Sequence, residues 1–168
     1  DREGTMPACR LLLYTAPELI HIRDTKTKSN VLHIAAAATL KETYLFLESV
    51  ADDDLLTDCD HAGRSLLSIW ASCRQGVPAR SRLLQRVPER MFLVPHQPIQ
   101  TAVLAYSKAA EQFVDHLSDA TLRLAVEDPP AHVNDSRQRE RSILQHAVNT
   151  RQFDLLRKIT ARLGAGCW

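Results

Sequence analysis

The chain has 168 residues, 45% hydrophobic and 24% charged, the balance of a folded domain rather than of a disordered segment. Its net charge is +1 and only 5% of its residues are aromatic, so neither nucleic acid nor an anionic membrane exerts a general pull on it. No apolar run approaches the roughly 18 residues that a bilayer span requires, and Leu11-Leu12-Leu13 is too short for the core of a signal peptide. Four cysteines, Cys9, Cys59, Cys73 and Cys167, are widely spaced without a framework pattern. Small core residues in a reducing, cytoplasmic setting are the expected reading. The chain starts at Asp1 without an initiator methionine, so it is expected to be a piece of a larger protein.

In chain order, residues 8–20 read as a helix disturbed at its end by Pro17. A short helix follows over 31–38, and its partner over 40–50 places Leu40, Tyr44 and Leu47 at helical spacing. Residues 51–60 form an acidic connector with aspartates at 52, 53, 54, 58 and 60. A calcium loop of the EF-hand kind needs a glycine sixth and a glutamate twelfth, and neither falls in place, so a solvated loop is expected. Residues 65–74 and 79–87 make the next helix pair, with Pro78 at a helix start and Pro88 beyond its end. A proline-bearing loop covers 91–98. Helices are expected at 98–106 and 108–117, and an extra one over 119–126 ends at Asp128-Pro129-Pro130. The loop 132–141 is polar and basic, and the last pair spans 142–149 and 152–162. Nothing alternates in the manner of a strand, so the fold class is all-α.

One short pattern recurs. Asn30-Val31-Leu32-His33-Ile34-Ala35-Ala36 returns as Ser65-Leu66-Leu67-Ser68-Ile69-Trp70-Ala71, and this second copy is preceded by Asp60-His61-Ala62-Gly63-Arg64. Gln97-Pro98-Ile99-Gln100-Thr101-Ala102-Val103 is a third copy and Ser142-Ile143-Leu144-Gln145-His146-Ala147-Val148 a fourth. Their key aliphatic residues, Leu32, Leu67, Ile99 and Leu144, lie 35, 32 and 45 residues apart. The pattern resembles the Thr-Pro-Leu-His-x-Ala signature of ankyrin repeats, which are helix-turn-helix units of about 33 residues. The last interval carries an excess of about 12 over that length. It is expected around Asp119 to His132, as a protruding helix and Pro-Pro loop.

The resemblance implies an ankyrin-like solenoid of about four recognisable copies, with an insertion before the last. The expected divisions of a single domain are an N-terminal cap or degenerate repeat at 1–23, repeats at 24–58 and 59–91, a degenerate repeat plus insertion at 92–134, and a C-terminal repeat at 135–168. Asn30, Ser65 and Ser142 are favoured helix caps, and Pro98 suits a first helical turn. Gly63 supplies a positive φ in its turn. Lys28, Pro95 and Glu140 hold the matching places, where distorted or longer turns are expected. Trp70 occupies an alanine position of the family and is expected to be partly buried and to force a local rearrangement.

The family presents a binding surface and rarely carries chemistry. No nucleophile elbow, Walker loop or His-Glu-x-x-His zinc helix is present, so no catalytic residue, cofactor or metal site is assigned. Cys59, His61 and Cys73 lack the short cysteine pair of a zinc site. His33 resembles the signature histidine that hydrogen-bonds within the repeat. Carried over residue by residue, the partner-binding positions are His61, Arg64 and Ser72 in the second copy, and Val94, His96 and Leu104 in the third. In the fourth they are Gln138, Arg139, Arg141 and Asn149. In the first, Lys26 and Ser29 are the matching turn residues. The basic stretch holding Arg74, Arg80, Arg82, Arg86 and Arg90 reads as a polar helix face, with an arginine patch for an acidic partner as its sharper form. The function implied is a protein-protein interaction module, monomeric alone, that meets another protein, one with an acidic surface, through repeat turns and the concave helix face. The alternative is a substrate-recruiting domain of a larger enzyme, such as a bacterial effector acting in the host cytosol.

Overall fold

The computed structural model describes residues 4–93, 98–127 and 143–164. Those residues are all-α. Helix α1 (Thr5–Thr15) is followed by a 3₁₀ turn at Pro17–His21, then α2 (Val31–Ala37) and α3 (Lys41–Val50). Next come α4 (Asp53–Thr57), α5 (Leu66–Ser72), α6 (Leu83–Arg86), a 3₁₀ turn at Glu89–Phe92 and α7 (Pro98–Leu104). The remainder is α8 (Ala109–His116), α9 (Asp119–Glu127), α10 (Ile143–Asn149) and α11 (Phe153–Leu163). Extended pairing among the described residues is confined to two isolated bridges, Arg23 with Asn30 and Cys59 with Ser65.

Local chemistry sets the helix starts. The Asn30 side chain accepts from the His33 N–H, and the Ser65 hydroxyl accepts from the Ser68 N–H, as favoured caps do. Pro98 is the first residue of α7. Ser142 lies outside the described residues, as do Pro95 and Glu140. Each capped helix is entered from a bridged turn. Lys28 takes the left-handed φ of 56° that Gly63 takes at 76°. The Lys28 turn is one residue longer between its bridge partners, as its sequence implies.

The four key aliphatics are buried: Leu32, Leu67, Ile99 and Leu144 expose between 0% and 4% of their surface. Each sits on a first helix, and these helices pack in succession, α2 on α5, α5 on α7 and α7 on α10. Burying one such side chain contributes about 1.5–3 kcal/mol.

The helix ends show a regularity that no residue type marked. After α2, α7 and α10, the residue seven beyond the key aliphatic has positive φ: Thr39, Tyr106 and Arg151. The next N–H then reaches back five residues, Leu40 to Ala35, Ser107 to Ala102 and Gln152 to Ala147, each at 2.9 Å. This is the six-to-one closure of a Schellman motif, normally supported by glycine. The second copy lacks it. Trp70 is fully buried rather than partly, with its ring edge-on to Tyr44 at 5.1 Å and 82°. Ala35, Ala102 and Ala147 are its counterparts in the other copies. In the second copy the chain instead turns at Gly76, and the expected 79–87 helix is reduced to the single turn of α6.

Two further expectations are corrected. The acidic connector is not simply solvated. Asp52 caps α4 through the Leu55 N–H, Leu55 and Leu56 are buried, and Asp58 pairs with Arg23 at 2.7 Å. The described part of the insertion does not protrude: α9 buries Leu122, Ala125 and Val126 and packs on α10 and α11. Residues 128–142 lie outside the described residues.

Arginines lock neighbouring helix hairpins together. Arg86 donates to the Glu48 and Ala51 carbonyls at the end of α3 and pairs with Asp53. Arg162 does the same for Val114 and Leu117 at the end of α8 and pairs with Asp119. These three acceptors stand 66 positions beyond the first three. Each guanidinium thus satisfies two helix-end carbonyls that the helix itself cannot. Arg162→Ala is expected to cost about 1–3 kcal/mol by orphaning them. Arg162→Lys should recover less than half, since an ammonium lacks the planar fork. Urea unfolding midpoints of the two variants check both.

Candidate functional site

The turn before α5 is built around Asp60. Its carboxylate accepts the Ala62 and Arg64 N–H groups and the Arg64 Nε–H, and pairs with Arg64 Nη2 at 2.7 Å. Burial works against its ionisation, but the Arg64 N–H and guanidinium outweigh it, and the carboxyl sits below its ordinary range. Asp24 plays the same part in the preceding turn, taking the Lys26 and Thr27 N–H groups and the Thr27 hydroxyl. Those bonds, Thr27's first, hold its carboxyl below the ordinary value.

Neighbouring turns are joined directly. The His61 N–H donates to the Thr27 carbonyl at 2.7 Å. His33, buried, places Nδ1 2.7 Å from Asn30 Oδ1 and Nε2 3.2 Å from the Arg64 carbonyl. One side chain therefore lies between its own helix cap and the following turn, and in the neutral ring its single N–H donates to one of these two oxygens. Burial, the largest effect, favours the neutral ring and holds its pKa below the ordinary histidine value.

A cleft of about 390 Å³ opens beside these turns, lined by Ala37, Arg64, Ser68, Ile69, Ser72, Cys73 and Thr101. It brings together two of the residues named from sequence, Arg64 and Ser72. Arg64 is exposed and aimed by Asp60, and Ser72 donates its hydroxyl to the Ile69 carbonyl at 2.7 Å, which leaves its oxygen able to act as an acceptor. Ser72, Leu104 and Asn149 are each the last residue of a first helix, with Ala37 in the same place on α2. All four are exposed, and so are Ile34, Leu104 and Val148 among the large apolar residues of these helices. His61 is exposed at the turn tip. His96, Gln138, Arg139 and Arg141, with Val94, lie outside the described residues. Ser29 does not belong to the surface: it is buried, and its carbonyl accepts the Asp24 N–H.

Thr101, Ser68 and Ile69 were missed. Their signal is available afterwards in the register, since each lies one or two residues beyond a buried aliphatic on a first helix. Two members of the arginine stretch are spent within the molecule, Arg80 on Glu42 and Arg86 on Asp53 and the α3 carbonyls.

Among the described residues, no group of three or more His, Cys, Asp or Glu side chains is placed to hold a metal ion, and no helix is long and apolar enough to cross a membrane. Cys9, Cys59 and Cys73 are free and half-buried, and burial raises the Cys59 and Cys73 thiols above their ordinary value. Comparison of the chain with protein-family models, with curated proteins and with solved structures finds no match.

Proposed function

We propose that this chain is a divergent ankyrin-repeat module that recognises another protein in the cytosol. Its contact surface is the turn tips and the exposed ends of the first helices. The observation that carries this reading is the equivalent placement of Ala37, Ser72, Leu104 and Asn149, one at the exposed end of each successive first helix. Such a row mixes apolar and polar groups on a rigid support, which suits recognition without chemistry. The recurrent Schellman closures and the His33 bridge support the repeat assignment. The mechanism is binding by a preformed surface, with little ordering cost for turns already fixed by Asp24 and Asp60.

The test places a photo-crosslinking amino acid at position 72 or 104, with position 157 on exposed α11 as control. Discrete adducts in a cell extract are expected from 72 and 104 alone, competed away by unlabelled protein. The Arg139→Ala, Arg141→Ala variant should weaken capture about tenfold, a loss of about 1.4 kcal/mol, with thermal unfolding almost unchanged. Equal crosslinking from all three positions would reject the surface.

A further inference from the structure

A second cleft, of about 530 Å³, lies between α1, α3 and the segment entering α6. It shares no lining residue with the cleft described above. Arg10 enters it from α1, while Arg80, Arg82 and Arg86 line its other wall. The carboxylates within it are already engaged. Glu42 pairs with Arg80, and Glu48, buried, accepts the Ser81 hydroxyl at 2.7 Å. Arg86 is held by Asp53 and two carbonyls.

Two guanidinium groups of the cleft have no carboxylate partner among the described residues. Arg10 lies over the Phe46 ring, 5.3 Å from its centroid. Arg82 is exposed, and its side chain makes no ion pair or hydrogen bond among the described residues, while its carbonyl accepts the Gln85 and Arg86 N–H groups. Stacking on an aromatic face orients a guanidinium without consuming its N–H donors. Those donors match phosphate oxygens in a planar fork. Met6, Leu45 and Phe46 add apolar wall to the same cleft. Two unspent positive charges therefore border a surface that an apolar group can cover.

We infer that this outer cleft binds a phosphate monoester carried on an apolar or aromatic stem. The phosphate oxygens accept from Arg10 and Arg82, and the stem packs on Met6 and Phe46. The site is independent of the partner surface proposed above, and no bond is made or broken in it.

The test is a titration of the arginine Nε–H resonances with phenyl phosphate at low salt and pH 8, where the monoester is a dianion. Arg10 and Arg82 should shift and saturate together, while exposed Arg157 stays still. Phenyl phosphate should bind about tenfold more tightly than inorganic phosphate, the stem contributing the difference. Arg82→Ala should weaken phenyl phosphate binding at least about fivefold, with an unchanged melting temperature. A phosphotyrosine peptide that binds more tightly than phenyl phosphate makes the source a modified protein; equal binding makes it a free small molecule. No saturation, parity between phenyl and inorganic phosphate, or equal shifts at every exposed arginine would overturn the assignment.

Discussion

Trp70→Ala is expected to destabilise the protein by about 3–5 kcal/mol, the range for truncating a large buried aromatic. The indole is wholly buried and meets Tyr44 edge-to-face, so the variant loses both its own packing and a favourable ring pair. An alanine is what α2, α7 and α10 carry at the matching place, as Ala35, Ala102 and Ala147, all buried. The second hairpin cannot simply revert to their geometry. Its turn is routed through Gly76 and its α6 is one turn long, so collapse onto the vacated volume requires rebuilding residues 74–82. Against a typical stability of about 5–15 kcal/mol, this loss removes much of the margin. Trp70→Phe should cost markedly less, because a ring still faces Tyr44. Urea unfolding followed by far-UV circular dichroism measures both; an unmoved midpoint for the alanine variant would show that the site relaxes freely.

The parts of the fold written in neighbouring residues were readable. A cap is a contact across three residues, so Asn30 and Ser65 announced the starts of α2 and α5. The buried aliphatics Leu32, Leu67, Ile99 and Leu144 came through because each holds the same place in the recurring short pattern. Turn closure was not readable. Thr39, Tyr106 and Arg151 carry positive φ where glycine would have marked it, and ordinary residues leave no trace of the strain. The arginine locks were hidden by distance. Arg86 and Arg162 reach acceptors 33 to 48 residues away, and in sequence both look like solvated charge. Helix α4 was masked by its own aspartates, although Leu55-Leu56 was the core signal within them. On the candidate surface, Arg64, Ser72, Leu104 and Asn149 were named only through the ankyrin resemblance. Thr101 was not, because its place in the cleft depends on α7 lying against α5.

Gly76→Ala is expected to cost about 3 kcal/mol, from a residue no longer free to hold positive φ and from a clash that side-chain motion cannot relieve. At φ 68°, an added Cβ would stand 2.5 Å from Gln112 Oε1 and 2.6 Å from the Ala109 backbone nitrogen. Gln112 has a specific task here. Its Oε1 accepts the Val77 N–H and its Nε2 donates to the Val77 carbonyl, each at 2.9 Å, so α8 holds the rerouted loop as a strand would. Gln112→Ala removes those two bonds and should cost about 1–3 kcal/mol. The double variant separates the two sources of strain. Truncating Gln112 clears its oxygen from the path of the new methyl, yet the Ala109 nitrogen, fixed at the start of α8, remains. Gly76→Ala should therefore stay severely destabilising in the Gln112→Ala background. Recovery in the double variant, read from thermal and urea midpoints, would instead place the obstruction in the flexible amide and leave the loop free to shift.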